Sequence, residues 1–359
     1  MITFVRYSMF RHLLASSLLI LCAAFSLAGI AAAQSVALTA PQQPLHLADF
    51  HIRDPWIVAD AASQTYYLYA TNAEGVTGNP GAGVMVYRSK DLRNWEQPSL
   101  VFTLPDGTWA DAGQGAWAPE VHPYRGKFYL FVTLHNPGKV IAEPPAAWRR
   151  ITMRGTTIAV SESPEGPFTL VKTDGPIPPA DFMTLDGTFY QDQAGVPWMV
   201  YCHEWAQKID GTVEAVPLKK DLSGAAGEPI FLFKGSDAPW LDTTLQADKT
   251  QNSYVTDGPE LYRSKDGHLL MLWSSFARNE YVETVARSKS GQVQGPWEQL
   301  PPLLEVNGGH GMLFRSLQGQ LMFVMHRTNV DPYAKIYEIE DNGDRLTVVR
   351  ERVDLDGVK

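Results

Sequence analysis

Three short sequence motifs place an aspartate beside a turn-forming proline or glycine: RDPWIV with Asp54, LDGTFY with Asp186 and DGPELY with Asp257. A single aspartate in such a motif is common at the start of a turn, which is the alternative explanation for each of them. Two carboxyl groups, one acting as an acid and one as a base, are what glycoside hydrolysis requires. An inverting enzyme keeps these groups about 6.5–9.5 Å apart so that a water fits between them.

Each aspartate belongs to one of five comparable units that divide most of the chain. Every unit opens with a short apolar strand, a polar turn and a second strand rich in aromatic and aliphatic residues, which is typical of a hairpin. The units begin at residues 54, 118, 186, 257 and 309. The spacing leaves room for two more strands per unit, such as GVMVYRSKDLRNWEQ after the first hairpin. Five units of four strands predict an all-β, five-bladed β-propeller.

The propeller would also explain why aspartates recur at the starts of the hairpins. The first strand of each blade lines the central axis, so residues at these starts meet around one mouth of the channel. Like charges held so close destabilise one another unless some stay protonated, and their repetition therefore favours catalysis over turn formation. The rival architecture, two β-sandwich domains, would need a linker near the middle of the chain, and none is evident.

Composition narrows the class of ligand. The 359 residues carry a formal net charge of −9, and only 19% of them are charged. A nucleic-acid or anionic-membrane partner would require a basic face, so a neutral ligand fits better. With 29 glycines and 25 prolines, the chain favours short strands joined by turns over long helices.

The first 33 residues have the pattern of a signal peptide: a basic start, an apolar stretch, and Ala31 and Ala33 before the cleavage point. We expect a mature chain of residues 34–359, folded as one propeller domain, monomeric and free of the membrane. An uncleaved membrane anchor is the alternative, since about 20 apolar residues can span a bilayer. Cys202 would be the only cysteine of the mature chain, which excludes a disulfide within one monomer.

The chain resembles glycoside hydrolase family 43, five-bladed propeller enzymes that act on arabinofuranose and xylose units of plant polysaccharides. The resemblance is carried by RDPWIV, SKDLRNWE, GAWAPEVH, LDGTFYQDQAG, the DGP word and GGHGMLF. It implies that Asp54 is the general base. It also implies that Asp186 orients the general acid and tunes its pKa.

The general acid is where the sequence departs from the resembled family, which usually has glutamate where this chain has Asp257. Aspartate is one methylene shorter, and a misplacement of about 1 Å can cost ~10²-fold in rate. Either the pocket is built around Asp257 or another carboxyl has taken the role. Glu204, between a histidine and a tryptophan in an apolar strand, is one substitute, because burial could raise its pKa. Glu260 is the other, although a polar strand residue that meets solvent explains it as well.

Several other residues are candidates for sugar recognition, because sugar rings have apolar faces that stack on aromatic side chains and hydroxyls that polar groups can bind. Each tryptophan among them has core packing as its alternative. The candidates are Trp56, Trp109, Trp117, Trp205, Glu120 and Arg278.

His310, in GGHGM, stands apart because a lone histidine is usually a packed or hydrogen-bonded residue. In the resembled family, the corresponding histidine often lies beside a calcium or sodium ion that is coordinated largely by waters. The resemblance therefore implies a structural Ca²⁺ or Na⁺ in the central channel near His310. No other cofactor is required.

Together these observations predict a secreted or periplasmic, inverting glycoside hydrolase that releases L-arabinofuranose from plant-type polysaccharides or oligosaccharides. A β-xylosidase or galactofuranosidase remains an alternative, because the loops that select the sugar cannot be read from sequence. A carbohydrate-binding propeller that has lost hydrolysis with its glutamate is a second alternative. A scaffold for protein partners is a third.

Overall fold

The computed structural model describes residues 43–144, 149–241, 253–278 and 280–357. The predicted signal peptide and its cleavage site lie outside these described residues. Within them, no helix has the length and apolar character needed to cross a bilayer.

Twenty strands build five four-stranded antiparallel sheets in the described part of the chain, as the sequence predicts. The first blade contains β1 Trp56–Asp60, β2 Thr65–Thr71, β3 Gly83–Ser89 and β4 Ser99–Thr103, and the second β5 Trp117–Tyr124, β6 Lys127–Ala142, β7 Ile151–Ser161 and β8 Thr169–Leu170. The third contains β9 Thr184–Gln191, β10 Pro197–His203, β11 Thr212–Pro217 and β12 Ile230–Lys234. The fourth contains β13 Asp257–Arg263, β14 Leu269–Ala277, β15 Glu280–Ser288 and β16 Trp297–Leu304, and the fifth β17 Gly308–Arg315, β18 Leu321–Arg327, β19 Tyr333–Asp341 and β20 Leu346–Glu351.

The innermost strands close a ring. Strand β1 contacts β5 and β17, and β9 and β13 complete the circle between them. Within the described residues, helical structure is limited to α1 (Glu74–Thr77), α2 (Trp205–Lys208) and 3₁₀ turns at Leu47–Asp49, Gly235–Asp237 and Val353–Leu355. The five-bladed β-propeller is therefore confirmed.

Apolar strands sandwiched between blades supply the core. All seven residues of β10 are buried, because both faces of a middle strand are covered by neighbouring blades. Blade one, for example, packs Tyr66 and Tyr69 at about 1% exposure or less. This packing holds the innermost strands rigidly around the axis.

One backbone feature recurs in every blade near the start of the innermost strand. A residue with positive φ stands there: Asp54 (49°), Ala118 (43°), Asp186 (54°), Gly258 (50°) and His310 (51°). In blades two to five the pairing with the second strand slips at this point, which marks a β-bulge. A left-handed conformation is costly for residues other than glycine, so its repetition indicates a position that the fold imposes. We call these five residues the bulge ring.

Candidate active site

A cavity of about 690 Å³ lies beside the bulge ring. That volume lies within the range of ligand pockets in proteins. Its lining includes the three aspartates of the sequence motifs, Asp54, Asp186 and Asp257, together with His310. The structure thus brings together four residues that are distant in sequence and belong to four different blades.

Asp54 lies between two histidines. Its Oδ1 is 3.2 Å from Nδ1 of His310 and 3.2 Å from Nδ1 of His326, a residue of β18. Burial opposes ionisation of the Asp54 carboxyl, but the positive charge of His310 and the hydrogen bond with His326 outweigh it and hold its pKa well below the usual range. Asp54 is therefore an ionised carboxylate, which is the form that can accept a proton.

Asp186 has the opposite electrostatic setting. Burial raises its pKa well above the ordinary value, and the neighbouring Asp257 raises it further by charge repulsion and hydrogen bonding. The Gly258 N–H donates to Asp186 Oδ2 at 3.2 Å, and the Tyr281 hydroxyl donates to Asp257 Oδ2 at 2.6 Å. Asp186 and Asp257 therefore form a carboxyl pair that favours keeping a proton.

Asp257 does not occupy the bulge ring, although its sequence motif resembles those of Asp54 and Asp186. The bulge-ring residue of blade four is Gly258, and Asp257 precedes it. The position before the bulge ring is held by Trp117 in blade two and Leu185 in blade three. The one-residue offset explains how a second carboxyl reaches the cavity beside Asp186 from the next blade.

The bulge ring is held by side chains of the preceding blade. Asp186 N donates to Thr133 Oγ1 at 2.9 Å, and His310 N donates to Ser274 Oγ at 2.7 Å. Asp54 N lies 3.3 Å from His326 Nδ1, but this nitrogen cannot accept the N–H while it donates its own proton to the Asp54 carboxylate. Thr133, Ser274 and His326 occupy equivalent places on the second strands of their blades. These bonds satisfy backbone groups that the bulges remove from the β-ladder, so neighbouring blades fix Asp186 and His310 in place.

The separation of the base and acid candidates can be bounded through His310. Its Nδ1 is 3.2 Å from Asp54 Oδ1 and 3.9 Å from Asp257 Oδ1. The two carboxylate oxygens therefore lie no farther apart than the sum of these distances. That bound reaches the lower end of the ~6.5–9.5 Å range of inverting enzymes and also admits the ~5–5.5 Å of retaining ones.

A second group of carboxyls surrounds a void of about 10 Å³ next to the bulge ring. Such a volume is close to that of one water. Glu120 and Glu260 line it, and burial raises the pKa of both, that of Glu260 to about 8. Glu120 pairs with His122 at 2.9 Å, and Glu260 accepts a hydrogen bond from Leu313 N at 2.8 Å. Neither residue lines the large cavity, so the structure does not place Glu260 where a general acid would act.

Glu204 does line the large cavity, but its carboxylate is already paired. Oε2 accepts a hydrogen bond from Arg154 Nη1 at 2.6 Å, and the side chain is almost fully buried. Arg154 Nε also donates to His135 Nδ1 at 2.9 Å. Glu204, which precedes α2, is therefore part of an ion pair with Arg154 and lies in the cavity wall.

The recognition candidates divide into two sets. Trp117 and Trp205 line the cavity. The other four lie outside its lining: Trp56, Trp109, Glu120 and Arg278. Trp56 is buried with its indole N–H bonded to Val121 O at 2.9 Å, and Arg278 is exposed and paired with Glu305 at 3.1 Å. Core packing thus accounts for Trp56, and Glu120 is paired with His122.

Sequence reasoning missed Tyr281, His326 and Arg154. Tyr281 lines the cavity and bonds Asp257, and its ring stacks on His326 with centroids 5.5 Å apart. None of the three begins a hairpin, since Arg154 lies in β7, Tyr281 in β15 and His326 in β18. Their position inside strands at blade junctions left no local signal.

The predicted channel cation can be compared with the donor atoms. An oxygen of Asp186, an oxygen of Asp257 and a ring nitrogen of His310 lie within 4.8 Å of one another. Carboxylate oxygens suit Ca²⁺, whereas a ring nitrogen is not among its usual ligands. The carboxyl oxygens of Asp186 and Asp257 therefore fit a cation that these two residues would hold. The cation itself stays a prediction.

Comparison with known proteins adds independent information. A family model described as glycosyl hydrolases family 43 matches residues 47–348. The crystal structure of an endo-arabinase from Bacteroides thetaiotaomicron VPI-5482 is 37% identical, with a TM-score of 0.74, and the match covers 85% of this chain and 100% of that one.

Two curated relatives are more distant. An extracellular exo-α-(1→5)-L-arabinofuranosidase of Cellvibrio japonicus (strain Ueda107) is 26% identical over 68% of this chain and 66% of its own length. An extracellular endo-α-(1→5)-L-arabinanase 1 of Bacillus subtilis (strain 168) is 22% identical over 51% of this chain and 56% of its own length. The chain therefore matches less than two thirds of either relative.

Proposed function

Because the chain belongs to glycosyl hydrolase family 43, we propose that it is an inverting glycoside hydrolase that releases L-arabinofuranose from arabinan-type polysaccharides or oligosaccharides. The proposed reaction rests on the contrast between the carboxyl groups that line the cavity. Asp54 is held ionised by histidines, while Asp186 and Asp257 form a pair that retains a proton. Two carboxyl environments pushed apart in this way are what acid and base roles need.

In this proposal Asp54 removes a proton from a water that attacks the anomeric carbon. Asp257 donates a proton to the leaving oxygen on the other side of the sugar. Asp186 lies against Asp257 and accepts a hydrogen bond from the N–H of the next residue, Gly258, so it can hold the Asp257 carboxyl in place. Tyr281 fixes the other oxygen of Asp257 through its hydroxyl. If a cation binds, Asp186 and Asp257 would hold it, and it would supply positive charge to the site.

The sugar and the location come from the relatives. The three proteins reported above are named for arabinan or arabinofuranoside cleavage, which favours arabinofuranose over xylose or galactofuranose. The two curated ones are named extracellular, which supports secretion or export to the periplasm. The test is a panel of aryl α-L-arabinofuranoside, β-D-xyloside and β-D-galactofuranoside, with linear arabinan beside them. Faster release from the xyloside or the galactofuranoside would replace arabinose with that sugar.

The stereochemistry has its own measurement. A single displacement must produce the inverted anomer first, so proton NMR of early product should show it before mutarotation mixes the two forms. Early product of retained configuration would contradict the single displacement and indicate a covalent intermediate on a carboxylate of the cavity.

A carbohydrate-binding propeller without hydrolysis is the second candidate. The observation in its favour is Asp257, where the resembled family has glutamate. It predicts micromolar binding of arabino-oligosaccharides by calorimetry and no release from any member of the panel.

A further inference from the structure

Trp117, the exposed tryptophan that lines the cavity, is contacted by several other residues. Trp117 opens β5, lines the cavity and keeps 42% of its surface exposed. Gly115 lies against its edge, and a Cβ there would come within 2.6 Å of the indole nitrogen. An aromatic ring that is open on the cavity side and confined on the other suits the apolar face of a sugar.

Arg154 lies over one face of the same ring. Its guanidinium carbon lies 5.0 Å from the centroid of the Trp117 ring, over one face, in the range of a cation–π contact. The ring of His135, which accepts from Arg154 Nε, lies 4.0 Å from the same indole. Arg154 therefore touches the platform directly and through its hydrogen-bond partner.

Glu204 completes the arrangement from the next blade. The side chains of Arg154 and Glu204 are only 16% and 6% exposed, and their polar atoms are 2.6 Å apart. A charge buried to this degree needs a partner, because breaking a buried pair leaves an uncompensated charge. The Glu204 carboxylate is directed at the guanidinium, whereas a general acid must present its O–H to the leaving oxygen.

Arg154 lies on β7, which together with β6 forms the longest hairpin of blade two. Strands β6 and β7 have 16 and 11 residues, longer than the other strands of their sheet, and Arg154 lies near the start of β7. Ile151, at the first position of β7, packs in one apolar cluster with Met183 and with Ala206 of α2. Groups held by packed strands are positioned more precisely than groups on free loops.

We propose that Arg154 is a positioning residue for substrate binding, which holds the Trp117 indole as a rigid platform for a sugar ring, and that Glu204 is the buried counter-ion of Arg154 and not the general acid. The sugar is a pentose unit of the oligosaccharide on the blade-two side of the cavity. This inference rests on the proposed function for the nature of the ligand, but it can be tested by binding alone.

The main test is a double-mutant cycle on arabinotriose binding, measured by calorimetry in full-length protein that carries Asp54→Asn to prevent turnover. Trp117→Ala should weaken binding roughly tenfold, and Arg154→Met roughly fivefold. Because Arg154 acts through Trp117, the double variant should bind no worse than Trp117→Ala alone. Additive losses would overturn the platform role of Arg154.

Arg154→Lys guards against a folding defect. It keeps a positive charge for Glu204 but loses the planar fork and the stacking surface. The variant should keep the wild-type melting temperature within a few degrees and still weaken arabinotriose binding. Unchanged binding in this folded variant would contradict the proposal.

Glu204→Gln tests the second half of the proposal, with Asp54 intact. As a counter-ion variant, it should raise KM for arabinotriose and for an aryl arabinofuranoside by a similar factor and leave the ratio of their kcat values within about twofold. A selective loss of kcat on arabinotriose, whose leaving group is poorer, would make Glu204 the acid. Glu338→Gln is the matched control, because Glu338 is also buried and paired with arginines, Arg350 and Arg352, but lies outside the cavity lining.

The two levels of failure are distinguishable. Wild-type protein that neither hydrolyses nor binds arabino- or xylo-oligosaccharides would refute the proposed function and this inference together. Protein that hydrolyses them while Trp117→Ala and Arg154→Lys bind normally would refute only the inference.

Discussion

Asp54 in blade one and Asp186 in blade three occupy the same bulge-ring position, with φ values of 49° and 54°. The backbone N–H of each lies against a side chain of the preceding blade, that of Asp186 bonded to Thr133 Oγ1 and that of Asp54 near His326 Nδ1. Their pKa values nevertheless move in opposite directions, downward for Asp54 and upward for Asp186. Backbone geometry is therefore not what separates them.

The residues next to each carboxyl cause the opposite pKa shifts. Both carboxyls are desolvated, which disfavours the charged form in each case. At Asp54 the charge of His310 and the hydrogen bond with His326 reverse this effect, whereas at Asp186 the repulsion from Asp257 adds to it. One repeated backbone position can thus supply a base in one blade and a proton-retaining group in another.

The largest effect should come from Asp54→Asn. Removing a general base should lower kcat by about 10²–10⁴-fold while sugar binding and folding persist, because the carboxylate acts in the transition state. Steady-state kinetics and calorimetry check this. Equal losses of binding and turnover would assign Asp54 to recognition instead and end the contrast with Asp186.

Asp257→Asn should separate substrates by their leaving groups. We expect kcat on an alkyl-linked oligosaccharide to fall about 10²-fold or more, and kcat on an activated aryl glycoside to fall far less, since a good leaving group needs little protonation. The comparison is made with both substrates at several pH values. A uniform fall on both would remove Asp257 from the acid role.

Gly258→Ala probes the bulge ring at a residue that has no side chain. An added Cβ would lie 2.6 Å from Cδ2 of His310, so the imidazole must shift. We expect a loss of stability of about 1–3 kcal/mol together with reduced kcat. Gly107→Ala is the control, because Gly107 also has positive φ but has open space around it. Equal losses in both variants would indicate backbone strain alone.

The smallest effect concerns stability, and its sign should differ between the two aspartates. A carboxyl with a raised pKa weakens the fold as pH rises above its unfolded pKa of about 3.9. Asp186→Asn should therefore raise the melting temperature at pH 7.5, by about 2–4 °C for each 1 kcal/mol relieved. The gain should vanish near pH 4 or below, where Asp186 is protonated in both states.

Asp54→Asn should do the reverse. A depressed pKa contributes stability above about pH 4 that is lost as pH falls through the folded pKa, so the variant should melt lower than wild type at pH 7.5. Thermal melts of both variants at pH 4 and 7.5 make the comparison. Shifts of the same sign at pH 7.5 would contradict the electrostatic account.

Much of the fold was predictable because its signals are local. Strand alternation and turn residues repeat in all five units, and they identify hairpins without knowledge of any partner. The three aspartate motifs were predictable for the same reason, since in each of them the aspartate stands next to the proline or glycine of a turn in its own blade. The offset of Asp257 by one residue was not, because only the pairing of β13 with β14 shows which residue forms the bulge.

The sequence by itself determined the number of blades, the order of their strands and the presence of Asp54, Asp186 and Asp257 at one end of the ring. These follow from patterns within about 20 residues. Tertiary structure alone decided which carboxyl has a histidine, an arginine or another carboxyl beside it. Arg154 meets Glu204 across 50 residues and His326 meets Asp54 across 272. Electrostatic energies depend on distance in space, so the chemical character of each carboxyl is settled only when the ring closes.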